Sequence, residues 1–138
     1  MRFSEYTRII GLCAGILFLS GTKVLAQRTL TGTTETQQLG MAAGAALACG
    51  AGQELDDFEL IASRIIANKA PSRQREIEEL KIYAEEKLRT YNLQRQSPPT
   101  DCSTVLNSFK KMSIFSSTIY ADGTVKLPDG SFLKPRKK

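Results

Sequence analysis

The sequence predicts a mainly α-helical fold: a small bundle of about four helices with one disulfide and a short C-terminal β-hairpin. Apolar residues recur at helical spacing through much of residues 35–112, and two cysteines stand near the ends of predicted helices. After residue 116 the pattern changes to short β-rich runs separated by Asp-Gly turns. Since apolar side chains three and four positions apart share one face of a helix, we expect those faces to form one core.

The chain has room for one compact domain. Its 138 residues are 41% hydrophobic and 24% charged, which is typical of a folded globular protein and argues against disorder throughout. We expect a signal peptide over residues 1–26, a flexible lead-in over 27–34, a single helical domain with its hairpin over 35–133, and a basic tail over 134–138.

The first 26 residues have the features of a secretory leader. Arg2 and Arg8 flank a polar start, an apolar run follows over residues 9–20, and Ala26 ends a short cleavage motif. A bilayer span needs about 20 apolar residues, so this run is short for one. We therefore predict cleavage after Ala26, a periplasmic or secreted protein, and no membrane span after cleavage. Retention of the leader as a membrane anchor is the alternative.

The cysteines support export. Cleavage removes Cys13 and leaves Cys49 and Cys102, which are expected to pair in an oxidising compartment. Closing a loop of this length stabilises a fold by about 4 kcal/mol in the chain-entropy model. Since the chain has no C-x-x-C motif, we predict a structural rather than a catalytic disulfide.

The first predicted helix begins near Glu35 and ends around Gly50 or Gly52. Small residues recur on it at every fourth position, namely Gly40, Gly44, Ala48 and Gly52. Such a stripe lets another helix approach closely. We expect this contact within one soluble domain, and the alternative is pairing of the membrane type.

The second predicted helix begins in an acidic cluster and stops before Pro71. The acidic cluster consists of Glu54, Asp56, Asp57 and Glu59. The apolar face of the same helix consists of Phe58, Ile61, Ala62, Ile65 and Ile66. Negative charge stabilises a helix N-terminus. A cation site is the alternative, but the cluster lacks the alternating oxygen ligands and the glycine of a calcium loop.

The third predicted helix, from Ser72 to about Gln94, is the longest. It carries a narrow apolar stripe of Ile77, Leu80, Ala84, Leu88 and Tyr91 among many charges. We predict that this stripe packs against the second helix in a hairpin. A coiled coil with a partner is the alternative, although little more than two heptads are present.

Thr100 or Asp101 is predicted to cap a fourth helix, with Cys102 in its first turn. The disulfide would then join the end of the first helix to the start of the fourth. Two β-rich runs around Asp122-Gly123 predict a hairpin, and Asp129-Gly130 gives a second turn before Phe132.

The composition argues against most enzyme classes. The chain has no histidine, which excludes Ser-His and Cys-His nucleophiles and the usual zinc sites. It has no glycine-rich phosphate loop and no tryptophan, and its aromatic residues do not alternate with basic ones as in a nucleic-acid platform. We therefore expect no enzyme activity, no metal, no cofactor and no nucleic-acid partner. A carboxylate-based hydrolase of envelope polymers remains the third hypothesis.

The leading hypothesis is an exported, non-catalytic protein of the bacterial envelope that binds another exported protein. The candidate contact residues are those of the C-terminal strands and the tail: Tyr120, Val125, Phe132, Lys134, Arg136, Lys137 and Lys138. An exposed strand edge can add to a partner's sheet. A basic tail can contact anionic polymers, and the alternative is that it only aids solubility.

In plan, a small exported helical domain with one long-range disulfide is similar to the acid-stress chaperones of the bacterial periplasm. This similarity implies a second hypothesis, a chaperone that exposes its core when carboxylates are protonated near pH 4 or below. It transfers no site residues.

Overall fold

The computed structural model describes residues 33–137 and confirms the predicted fold class. The elements, in chain order, are the helices α1 (Glu35–Ala48), α2 (Gln53–Lys69), α3 (Arg73–Gln96) and α4 (Cys102–Lys110), the 3₁₀ helix Ser113–Ser116, and the strands β1 (Thr118–Ile119), β2 (Val125–Lys126) and β3 (Phe132–Leu133). The predicted signal peptide, residues 27–32 of the lead-in and Lys138 lie outside the described residues.

Local sequence signals set the helix ends. The hydroxyl of Ser72 accepts a hydrogen bond from the N–H of Arg75 at the start of α3, at 3.2 Å. Asp101, rather than Thr100, caps α4 by accepting from the N–H of Thr104 at 2.9 Å. Each side chain satisfies a backbone donor that has no partner within its own helix, so both helices begin where the sequence predicts.

The disulfide joins Cys49, just after α1, to Cys102, the first residue of α4. The two positions are 53 residues apart in sequence, and their Cα atoms are 5.2 Å apart. This confirms the predicted link between two helix termini. It closes a loop that contains both α2 and α3.

The predicted hairpin between the second and third helices is wrong. α3 packs most extensively against α1 and only lightly against α2. A Cβ atom added at Gly40 would stand 2.6 Å from the carbonyl oxygen of Tyr83, and one at Gly44 would collide with the carbonyl oxygen of Lys87. The small residues of α1 therefore bring α3 into backbone contact with it, as the packing interpretation of the stripe predicts.

The core lies between α1, α2, α4, the 3₁₀ helix and the sheet. Phe58 of α2 is fully buried, and its ring centroid lies 4.9 Å from that of Phe109. Phe115 completes the cluster with an edge-on contact to Phe109 at 5.4 Å. These three rings hold the C-terminal third of the chain against α2.

The sheet has three antiparallel strands in the order β1-β2-β3, so both predicted turns are present. Gly123 adopts a φ of 84° in the first turn, a conformation that favours glycine. The side-chain amide of Asn68, on α2, donates to the carbonyl oxygens of Gly123 and Leu133, both at 2.9 Å. These bonds fix the small sheet on the helices.

Candidate functional site

The apolar stripe of α3 mostly faces away from the protein core, although Leu80 packs against it. The face of α3 that contacts α1 is polar: Thr36 donates a hydrogen bond to Glu79 at 2.6 Å, and Gly40 lies against Glu86. On the stripe itself, Ile77 is 49% exposed and Leu88 is 60% exposed. The sequence predicts burial of these two residues, and the structure leaves them in contact with solvent because the glycines of α1 select the other face of the helix.

From Leu80 to Tyr91 the stripe lines an open groove, which we call the α2–α3 groove. Its volume is about 580 Å³, and its lining residues are Leu47, Glu59, Leu60, Ser63, Leu80, Tyr83, Ala84, Lys87, Leu88 and Tyr91. Three helices each contribute an exposed leucine to the groove: Leu47 from α1, Leu60 from α2 and Leu88 from α3. Such a contiguous apolar surface is typical of an interaction site.

One ion pair crosses the groove. Lys87 of α3 donates a charge-assisted hydrogen bond to Glu59 of α2, and both side chains are largely shielded from solvent. Lys87 is also the residue whose backbone lies against Gly44. The pair therefore sets the separation of the two groove walls at the point where α1 supports α3.

A buried hydroxyl stands beside this pair. Among the described residues, the side-chain hydroxyls of Tyr83 and Ser117 are buried without a hydrogen-bond partner. Burial raises the pKa of Tyr83 above its ordinary value, and the negative charge of Glu59 adds to the effect. The phenol is therefore neutral at physiological pH, and its unmade hydrogen bond costs about 1–3 kcal/mol.

The C-terminal candidates lie away from the groove, and not all of them are accessible. Tyr120 and Phe132 are exposed, and their ring centroids are 6.2 Å apart. The structure corrects the prediction that Val125 is a contact residue. Its side chain is fully buried, and it belongs to the central strand of the sheet. A residue of a central strand has both backbone edges paired, so Val125 cannot present a strand edge to a partner.

Within the described part of the basic tail, residues 134–137, Arg136 bonds to the helices. Arg136 donates to Glu76 of α3 at 3.0 Å and to the carbonyl oxygen of Ala70 at 3.4 Å. Lys134 and Lys137 are exposed. The guanidinium group of Arg136 therefore holds the tail against the α2–α3 turn.

A second, smaller cavity of about 160 Å³ lies at the other end of α1. Its charged groups already pair with one another: Lys69 with Glu35 at 2.6 Å, and Arg75 with Glu79 at 3.0 Å. These pairs leave little unmatched charge for a ligand.

In residues 33–137, no group of three or more acidic or cysteine side chains is arranged to hold a metal ion. No helix in this part of the chain is long and apolar enough to cross a membrane.

Comparison of the chain with protein-family models, curated proteins and solved structures found no match.

The groove is the feature that the sequence-based list of contact residues misses. Its α3 residues are visible in the sequence as the narrow stripe, but periodicity alone predicts that the stripe is buried in the core. The exposed Leu60 lies beside buried residues of α2, and Leu47 lies in the alanine-rich α1. Only the packing of α3 on α1 reveals that these positions share one surface.

Proposed function

We propose that this protein is an exported, non-catalytic binding protein of the bacterial envelope, and that its α2–α3 groove holds a segment of another exported protein. The observation that supports this proposal is the orientation of α3, whose apolar stripe lines an open groove while a polar face packs on α1. Exposing that stripe has a free-energy cost in the isolated protein, and a partner that covers it recovers part of that cost.

The chemistry of the groove suits binding better than catalysis. Its polar groups are the paired Glu59 and Lys87, the phenols of Tyr83 and Tyr91, and the hydroxyl of Ser63, which donates to the carbonyl oxygen of Leu60 at 3.0 Å. A carboxylate held by an ammonium group is a poor general base, and a neutral phenol is a poor nucleophile.

The disulfide supports the same proposal. It joins the end of α1 to the start of α4, so α1 keeps its place beneath the groove when α2 and α3 are in contact with a partner. A rigid, pre-formed groove binds with a smaller loss of conformational entropy than a flexible one.

A site-specific photo-crosslinker tests the proposal in a bacterial envelope. The crosslinking residue replaces Leu88, which lines the groove, or Leu93, which is 45% exposed on the same helix but does not line it. We expect one discrete adduct with an exported protein from position 88 and none from position 93. Equal adducts from both positions, or none from position 88, contradict the proposal.

The acid-stress chaperone is the second candidate, supported by the carboxylates that hold local structure. The Ser103 hydroxyl, together with the N–H and hydroxyl of Thr104, lowers the pKa of Asp101. Protonation of such caps weakens the fold in acid. Binding of a client at pH 3 and not at neutral pH would favour this candidate over the groove.

A further inference from the structure

We propose that the occupant of the α2–α3 groove is a single amphipathic α-helix of the partner protein. This inference rests on the proposed function and specifies the conformation and the charge pattern of the bound segment.

The α2–α3 groove has walls whose geometry fits a helix. Its α3 side runs from Leu80 to Tyr91, which corresponds to about 16 Å at 1.5 Å per residue, or three helical turns. The apolar positions on this side are spaced by three and four residues, the spacing at which the side chains of two packed helices meet. A helix of the partner that lies along the groove would form a four-helix bundle with α1, α2 and α3.

The backbone hydrogen bonding of the walls also favours a helical ligand. Both walls are α-helices, whose N–H and C=O groups are paired within the helix. An extended peptide between them would have no backbone partners, and each unpaired group buried against leucine side chains is costly. A helix satisfies its own backbone and presents only side chains, so the walls select a helical ligand.

The two walls of the groove differ in the charge that each leaves unpaired. On α2, Asp56 stands one turn before Leu60 on the same face and forms no ion pair with another residue of the described chain. On α3, Lys81 pairs with Glu85 at 3.8 Å, whereas Arg95 lies over the ring of Tyr91 at 5.7 Å and forms no ion pair with another described residue. A bound helix is therefore expected to place a basic residue against Asp56 and an acidic residue against Arg95.

Three synthetic peptides of about 16 residues test this proposal, a length that covers the groove at 1.5 Å per residue. The first has leucines at helical spacing with lysines on one flank and glutamates on the other. The second has the same composition with the leucines dispersed, and the third is the first with a central proline. Affinity for the protein spanning residues 27–138 is measured by fluorescence anisotropy.

We expect the first peptide to bind at least about tenfold more tightly than the other two. Leu88→Lys should weaken its binding by about tenfold or more, and Leu93→Lys should leave it unchanged. Asp56→Lys should weaken it severalfold, because the bound lysines lose their acidic partner. Circular dichroism and melting curves of each variant show whether its fold is retained.

Equal affinity of the striped and proline peptides overturns the helical ligand, and so does a failure of the striped peptide to bind at its solubility limit. Dimerisation of the protein alone that is abolished by Leu88→Lys would show that a second copy occupies the groove, and it also overturns the proposal. The crosslinking test does not depend on the conformation of the bound segment. It therefore distinguishes failure of the helical ligand from failure of the proposed function.

Discussion

Gly44 of α1 lies directly against the backbone carbonyl of Lys87 of α3, with no space between them for a methyl group. The same Lys87 reaches across the α2–α3 groove to Glu59. One helix contact therefore determines both which face of α3 is buried and where the groove lies.

Gly44→Ala should destabilise the protein by about 2 kcal/mol or more, because the added methyl group collides with backbone that cannot rotate away. Urea denaturation measures the change in the free energy of unfolding. Met41→Ala, at an exposed position of the same helix, is the matched control and should change stability little. A stable Gly44→Ala variant would show that α1 and α3 are not in close contact.

Removing the disulfide should lower the free energy of unfolding by about 4 kcal/mol, since the unfolded chain regains the freedom of a long loop. The Cys49→Ser/Cys102→Ser double variant and the chemically reduced protein should agree, because both lack the same bond. Thermal unfolding followed by circular dichroism measures the effect. If reduction leaves the melting temperature unchanged, the disulfide does not support the fold.

Tyr83→Phe should stabilise the protein by roughly 1 kcal/mol, because it removes a buried hydroxyl that has no hydrogen-bond partner in the described structure and leaves the ring in place. The free energy of unfolding in urea measures this change. Tyr91→Phe, at another groove position, is the control. A loss of stability in Tyr83→Phe would mean that the hydroxyl is bonded in the folded protein.

Acid should destabilise the fold through its capping aspartates. Hydrogen bonds from Ser103 and Thr104 lower the pKa of Asp101 from its ordinary value of 3.8, and bonds from the N–H and hydroxyl of Thr124 lower that of Asp122. A depressed folded-state pKa contributes stability that is complete above the unfolded value and is lost as the pH falls through the folded one. We therefore expect the free energy of unfolding to decline below about pH 4.

Asp101→Asn isolates one of these contributions, because the amide still caps α4 but does not titrate in this range. The variant should lose less stability than the wild type between neutral pH and pH 3, as measured by urea denaturation at each pH. Identical pH profiles would mean that Asp101 is not the group that titrates.

The sequence predicts those features of this fold that depend on neighbouring residues. The caps of α3 and α4 and the turn at Gly123 follow from side chains within a few positions, and the disulfide follows from the count of cysteines. The partner of α3 depends instead on how closely α1 can approach, which is decided by backbone contacts at Gly40 and Gly44. Periodicity alone identifies an apolar face and does not identify the surface that covers it.

The candidate contact residues show the same limit. Tyr120 and Phe132 are exposed, as a contact residue must be. Val125 could not be separated from them by pattern, because its burial follows from the packing of β2 against α2 in the core. The attachment of Arg136 to Glu76 joins positions 60 residues apart, a contact that no local signal in the sequence indicates.

The most direct measurement is the affinity of the crosslinked partner, once purified, for the wild-type protein and for the Leu88→Lys and Leu93→Lys variants. If the groove is the binding surface, Leu88→Lys should weaken binding by about tenfold or more, since a charge replaces a leucine that becomes buried in the complex. Leu93→Lys should bind as the wild type does. Equal affinity of all three proteins would contradict the assignment of the α2–α3 groove as the binding site.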